Sequence, residues 1–186
     1  MRVRFIYIMV LLLCPCMIVS AQKISVSTDL SDYAALGTLN AEVAVAVSRH
    51  WSLEVEAKYN PFRFRKDDLE RQFQLCQQSY SVGARFWPWH IWTGWWFASG
   101  IRYQEYNWGG ILSRKTQEGD RWGVGLYSGY TLMLSAHLNM EFGLGLWGGV
   151  DMYRKYDCPV CGLTEKTGRK GFVLPDGVKI AVAYVF

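Results

Sequence analysis

Residues 39–60 read Leu-Asn-Ala-Glu-Val-Ala-Val-Ala-Val-Ser-Arg-His-Trp-Ser-Leu-Glu-Val-Glu-Ala-Lys-Tyr-Asn. Leu39, Ala41, Val43, Val45 and Val47 alternate with Asn40, Glu42, Ala44, Ala46 and Ser48. After Arg49-His50 the order resumes, with Trp51, Leu53, Val55, Ala57 and Tyr59 set against Ser52, Glu54, Glu56, Lys58 and Asn60. Successive side chains of an extended chain point to opposite faces, so period two over ten residues is a strand signal. Two such runs joined by two residues read as an antiparallel hairpin.

The same pattern recurs outward from this hairpin. In residues 138–147, Leu138, Met140, Phe142, Leu144 and Leu146 oppose Asn139, Glu141, Gly143, Gly145 and Trp147. In 178–186, Val178, Ile180, Val182, Tyr184 and Phe186 oppose Lys179, Ala181 and Ala183. Weaker strands are expected at 24–30, 77–87, 93–106 and 121–133, which brings the set to about eight. Connections at 49–50, 88–92 and 134–137 are tight, whereas 65–76, 107–120 and 156–171 are long, polar and charged. Short turns at one end and long loops at the other describe an all-β, up-and-down antiparallel transmembrane β-barrel.

Composition agrees. Nine Trp, eleven Tyr, nine Phe and eighteen Gly in 186 residues suit sheet. Apolar residues make up half the chain, yet mean hydropathy is zero, so polar and apolar residues are finely interleaved. The chain opens with an export signal: basic Arg2 and Arg4, an apolar run over 5–19, and the small-residue site Val19-Ser20-Ala21 before Gln22. Residues 1–21 are therefore expected to be a signal peptide cleaved near Ala21, and residues 22–186 one barrel domain. Cys14 and Cys16 follow Leu13 and Pro15 rather than a small residue, which argues against a lipid anchor. Without Arg2 and Arg4, 18 basic and 16 acidic residues remain. No Lys/Arg block is dense enough for a nucleic-acid partner.

The polar face separates a membrane barrel from a soluble, lipocalin-like ligand binder, which is apolar inside. Here Glu42, Glu54, Glu56, Lys58, Arg85, Arg102, Glu141 and Lys179 share their face with Gly and Ala. Small residues and opposite charges are expected to fill the narrow interior of eight strands as a paired ion network, since a lone buried charge is strongly unfavourable. The aliphatic face suits the lipid of an outer membrane. Aromatic residues cluster at both strand ends: Trp51, Phe86, Trp89, Trp92, Trp95 and Tyr184 at the turn end, and Tyr59, Phe62, Tyr103, Tyr106, Trp122 and Tyr153 at the loop end. Tyr184 and the terminal Phe186 resemble the C-terminal signal read by barrel-assembly machinery.

Several stretches together resemble a family of secreted proteins from Bacteroides-type bacteria, known as domain of unknown function 3575. They are Trp51-Ser52-Leu53 leading into Tyr59-Asn60-Pro61-Phe62, then Gly83-Ala84-Arg85-Phe86-Trp87, Trp108-Gly109-Gly110-Ile111 and Cys158-Pro159-Val160-Cys161-Gly162. The closing strand 178–186 belongs with them. The resemblance implies a small outer-membrane barrel, in some genomes associated with fimbrial surface components. It implies no reaction and no catalytic residues.

Cys158 and Cys161 form C-x-x-C in the last long loop. A loop-pinning disulfide fits an exported setting. A redox dithiol wants a helix N-terminus, and a metal knuckle wants two further ligands; Cys76 in another long loop is one candidate, either as ligand or as disulfide partner. His50, His90 and His137 all fall in the tight turns, away from the loop rim where an outer-membrane lipase or protease keeps its base. The carboxylates Asp67, Asp68, Glu70, Asp120, Asp151 and Asp157 there have arginines nearby and read as solvated loop charge. Gly123, Gly125, Gly129, Gly143, Gly145, Gly148 and Gly149 lack the Lys-Ser/Thr and helix of a phosphate loop. No catalytic, cofactor or metal site is expected. A rim enzyme acting on lipid or peptide, and a lipocalin-like binder, are the alternatives to a non-enzymatic envelope component.

Overall fold

The computed structural model describes residues 23–64, 73–109, 116–156 and 164–186. The strands are β1 (Ile24–Asp29), β2 (Leu39–Ala46), β3 (Trp51–Asn60), β4 (Arg63–Phe64), β5 (Phe73–Phe86), β6 (Gly94–Gly109), β7 (Thr116–Met133), β8 (Leu138–Tyr156) and β9 (Thr164–Val185). One short helix, α1 (Leu30–Ala34), follows β1. Its N-cap Asp29 accepts a hydrogen bond from the Ser31 N–H at 2.9 Å, the usual stabilising device at a helix start. No helix among the described residues is long and apolar enough to cross a membrane.

Each strand pairs antiparallel with its neighbours, and β3 pairs with β5, so the sheet closes on itself. β4 extends β3 along the same partner strand after an interruption at Pro61, which has no N–H to give a ladder. The result is a closed eight-stranded barrel. All eight strands expected from alternation are present.

The stagger of the closure follows from the register. Val26 pairs with Val43, and the row continues through Val55, Val82, Ile101, Val124 and Gly148 to Val173 on β9. Val26 also pairs directly with Tyr184. One circuit therefore slips 11 residues along β9, from 173 to 184. An odd slip would turn an outward side chain inward. The mismatch is absorbed by a bulge in which Leu144 and Leu146 oppose Val178 and Pro175, so that β9 spends one residue more than β8. Gly177 at this bulge has φ +87°, a conformation that glycine adopts without strain. With the extra residue set aside the shear is 10, and strand rise and spacing then give a tilt of roughly 40° and a backbone radius of roughly 8 Å. Such a lumen holds side chains and little else.

The two faces differ sharply. Val43, Val55, Val82, Ile101, Val124, Leu126 and Leu144 are outward and exposed, while Glu42, Ser52, Arg85, Arg102, Thr131, Asn139 and Glu141 are inward and buried. Gly129 on β7 and Gly143 on β8 sit under an inward aromatic ring. A Cβ on Gly143 would lie 2.8 Å from Cη2 of Trp96, and one on Gly129 would lie 2.7 Å from Cε2 of the same ring. Gly129 pairs with Gly143, so this two-residue gap is the slot for the indole. Replacing Gly129 by valine is expected to overpack the lumen and lower stability by about 1–3 kcal/mol, read as a lower urea midpoint.

Three features depart from the expected layout. The loops expected at 107–120, 156–171 and 65–76 are shorter, because β6 runs to Gly109, β7 starts at Thr116, β9 starts at Thr164 and β5 starts at Phe73. Polar outer segments still pair as strands, since the ladder satisfies their backbone groups whatever the side chains face. The short connection after β1 contains α1. Trp92, Tyr106 and Tyr153, expected among the end aromatics, are instead an inner plug residue and two residues of the inward register. Residues 1–22, Cys158 and Cys161 lie outside the described residues.

Candidate functional site

The eight charged residues singled out on the polar strand face meet inside the barrel. Arg85 is at its centre. Its Nη2 lies 2.8 Å from Glu42 Oε1 and 2.7 Å from Glu54 Oε2, and its Nη1 lies 3.0 Å from Glu141 Oε2. A planar guanidinium can serve several carboxylates at once, which a lysine cannot do with the same geometry. Lys179 Nζ reaches Glu42 at 2.6 Å and Glu141 at 3.6 Å. One step toward the loop end, Arg102 binds Glu56 at 3.2 Å and also Asp176, while Lys58 lies 3.4 Å from Glu56 and 2.8 Å from Asp32.

Strand register makes this cluster. Glu42 pairs with Glu56 across β2–β3, and Glu54 with Gly83 across β3–β5. Arg85 pairs with Ser52. Glu42, Glu54 and Glu56 therefore share the β2–β3 wall, Glu141 stands on β8, and the long cations of β5, β6 and β9 meet them in the lumen. Two partners escaped the sequence reading. Asp176 faces inward only because the bulge reverses the alternation of β9 there, and Asp32 arrives on α1. The signal for the first was Pro175-Asp176-Gly177, a turn-like triplet inside an otherwise extended run. Burial raises the Asp32 carboxyl above its usual value, and the ammonium of Lys58 partly offsets the effect.

Aromatic rings cover the cations. The Arg85 guanidinium lies 4.4 Å from the centroid of Trp96, and Arg102 lies 5.4 Å from that of Trp147. At the turn end Trp87, Trp92 and Trp96 are almost wholly buried and seal the lumen. The Trp87 indole N–H donates to Ser52 Oγ at 3.1 Å, and the side-chain amide of Asn139 donates to the Trp92 carbonyl at 2.9 Å.

A second ionic layer, not anticipated from sequence, lies nearer the loops. Asp151 is completely buried and accepts from the Tyr106 hydroxyl at 2.7 Å. Arg121 lies 3.4 Å from it and stacks on Tyr106 at 3.9 Å and Trp108 at 4.5 Å. From sequence Asp151 reads as solvated loop charge, and Arg121 opens an expected strand. They are buried because β6 to β9 continue past the point where β1 to β3 end, so their inward face still needs a core.

Further toward the loops, a cavity of about 880 Å³ is lined by residues that include Tyr59, Gln78, Glu105, Asn107, Glu118 and Asp120. Two of its carboxylates are held by a phenol, since the Tyr103 hydroxyl lies 2.5 Å from Glu105 and 3.2 Å from Asp120. Cys76 also borders this cavity and forms no disulfide among the described residues. No cluster of His, Cys, Asp and Glu among the described residues has the arrangement of a metal site. The three histidines stand at the turn end. His50 and His137 each place Nδ1 2.8 Å from a backbone carbonyl, of Trp87 and Val185 respectively.

Tyr184 and Phe186 lie outward on the last turn-end residues, with ring centroids 4.8 Å apart. Tyr184 also stacks on His137 at 5.8 Å.

Fold and site together define a class: a small, closed, eight-stranded β-barrel whose lumen is plugged by ion pairs and tryptophans. The chain belongs to the family described as protein of unknown function (DUF3575), whose model matches residues 7–186. Among curated proteins, none matches the chain.

Proposed function

We propose that the protein is a non-enzymatic outer-membrane barrel, exported through a signal peptide cleaved near Ala21, which presents its long-loop end to the exterior as a binding surface for an envelope or fimbrial partner. One observation carries the membrane part of this reading. Between its two ends the outer face is an uncharged aliphatic band, and the charges at that height are inside, the reverse of a water-soluble binder. Along β7 the outward side chains run Tyr130, Ser128, Leu126, Val124 and Trp122, with aromatic rings bracketing the aliphatic centre. On β6 they run Trp95, Phe97, Ser99, Ile101 and Tyr103. A band of this kind, about 25 Å tall between aromatic girdles, matches hydrocarbon between two interfaces. Outer-membrane lipid and barrel-assembly machinery are then the first partners, with Tyr184 and Phe186 as the assembly signal.

The lumen supports a structural rather than a transporting role. Ion pairs fill its middle, and Trp87, Trp92 and Trp96 close its turn end, so no wide pore runs through it. Function is left to the loop end. A disulfide between Cys158 and Cys161 there would pin the last loop in an oxidising setting.

Orientation is tested with single cysteines in a background whose native cysteines are serine. A membrane-impermeant maleimide applied to intact cells is expected to label Thr167→Cys, at the loop end, and to label Ser135→Cys, in a tight turn, only after lysis. Labelling of Ser135→Cys on intact cells with Thr167→Cys protected would invert the topology and remove the proposed binding surface.

A further inference from the structure

β9 loses one of its neighbours halfway up. β1 pairs with it only from Ser25–Val185 to Asp29–Ala181. α1 and its N-cap Asp29 then close the edge at two points. The Ser31 hydroxyl donates to the Val178 carbonyl at 2.5 Å, and the Ile180 N–H donates to Asp29 Oδ1 at 3.1 Å. Over residues 164–175, β9 is hydrogen-bonded to β8 alone among the described residues.

The alternation of an antiparallel ladder says which groups are free. Val178 and Ile180 turn their backbone polar groups away from β8, toward α1. The extra residue of the bulge passes that role to the odd-numbered positions, so Thr167, Arg169, Gly171 and Val173 turn N–H and C=O away from β8, where no strand pairs with them among the described residues. A long free edge is a template for another strand. Pro175, with no N–H, and the bulge blunt its lower end. What remains, residues 164–173, is long enough for a paired segment of roughly 30 Å.

Charge decides what can pair there. Lys166 and Lys170 lie on one face of this edge with Gly168 between them, Arg169 lies on the other, and all three cations are exposed. Lys155 on β8 stands directly opposite Lys166, a like-charged cross-strand pair that is unfavourable without an anion nearby. Lys170 has Asp151 at 3.5 Å, yet about half of its side chain remains exposed. Two copies of this edge would set cations against cations, so self-pairing is opposed.

We propose that the free edge of β9 binds an extended acidic segment of a partner protein by strand addition, with carboxylates four residues apart facing Lys166 and Lys170 and a small residue over Gly168. The inference rests on the reading above in that it needs the loop end to face outward and meet a partner. Main-chain bonds supply affinity in this mode, and alternate side chains supply specificity.

The test uses the full mature chain folded in detergent micelles and a fluorescent peptide, Thr-Val-Glu-Val-Gly-Val-Glu-Val-Thr. Saturable binding is expected. It should weaken at least about tenfold when both glutamates become lysine, when alternate peptide nitrogens are methylated, and when the protein carries Lys166→Glu with Arg169→Glu. Equal binding of the Glu and Lys peptides, indifference to N-methylation, or no saturation up to about 1 mM would overturn the proposal. The heat-dependent gel shift of the same sample reports whether the barrel is folded, so a failed peptide and a failed membrane barrel give different results.

Discussion

Replacing Arg85 by alanine is expected to be the most damaging single substitution, lowering unfolding free energy by about 3–5 kcal/mol. Arg85 is 2 % exposed and holds Glu42, Glu54 and Glu141 together. Without it those three carboxylates share Lys179 alone, which reaches Glu42 and Glu141 but makes no ion pair with Glu54 among the described contacts. The loss therefore comes from stranded charge rather than from the intrinsic worth of the ion pairs. Two companions separate these causes. Arg85→Lys keeps the charge but gives up the fork, so it should fall between the wild type and Arg85→Ala. Adding Glu54→Gln to Arg85→Ala removes one stranded carboxylate and should recover part of the loss. Urea titration of the folded barrel in micelles, followed by tryptophan fluorescence, reads all three. An Arg85→Ala midpoint equal to that of the wild type would mean that water, not the lumen, solvates these groups.

The second large effect lies on the outer face of the barrel, on β7. Leu126 is 65 % exposed and sits midway along β7 between Tyr130 and Trp122. If lipid covers that position, Leu126→Arg costs about 2–4 kcal/mol, because the charge sits near the middle of the hydrocarbon. If water covers it, the same change removes an exposed apolar side chain and costs nothing. Gln78→Arg, outward at the loop end, is the depth control and should be near neutral. Folding into lipid vesicles, measured as the fraction resisting added protease, separates Leu126→Arg from Gln78→Arg and from the wild type.

Much of the fold was legible because the alternation is strict. A one-residue slip anywhere in 39–60 would turn Glu42, Glu54 and Glu56 to the outer face and put Val43, Val45 and Val55 in the lumen, so the sequence admits one register. The same strictness marked the eight lumen charges. What could not be read has physical reasons. The upper halves of β6 to β9 are polar on both faces, and a polar segment held by its ladder looks like a loop in sequence. Asp151 therefore reads as solvated loop charge, although Tyr106 donates to it and Tyr106, Trp108 and Phe172 build a core around its partner Arg121. Asp176 was hidden by the bulge. Pro175-Asp176-Gly177 reads as a break in the strand, whereas it is the extra residue that lets an 11-residue slip close with its faces matched. Tyr106 and Trp92 show the limit of counting aromatics at strand ends, since position along a strand does not fix the face.

The edge of β9 follows from the same asymmetry. Short β1 and β2 close the barrel at the turn end, and α1 with its N-cap stops the edge at Val178 and Ile180, so residues 164–173 have β8 as their one strand neighbour among the described residues.

The most direct measurement is gel migration of the full chain from fractionated envelopes of expressing cells, unheated and boiled. A band in the outer-membrane fraction that shifts on boiling is expected, since a closed barrel resists detergent until heat opens it. A soluble protein in the periplasm with no shift on boiling would contradict the membrane barrel and return the chain to the class of soluble binders.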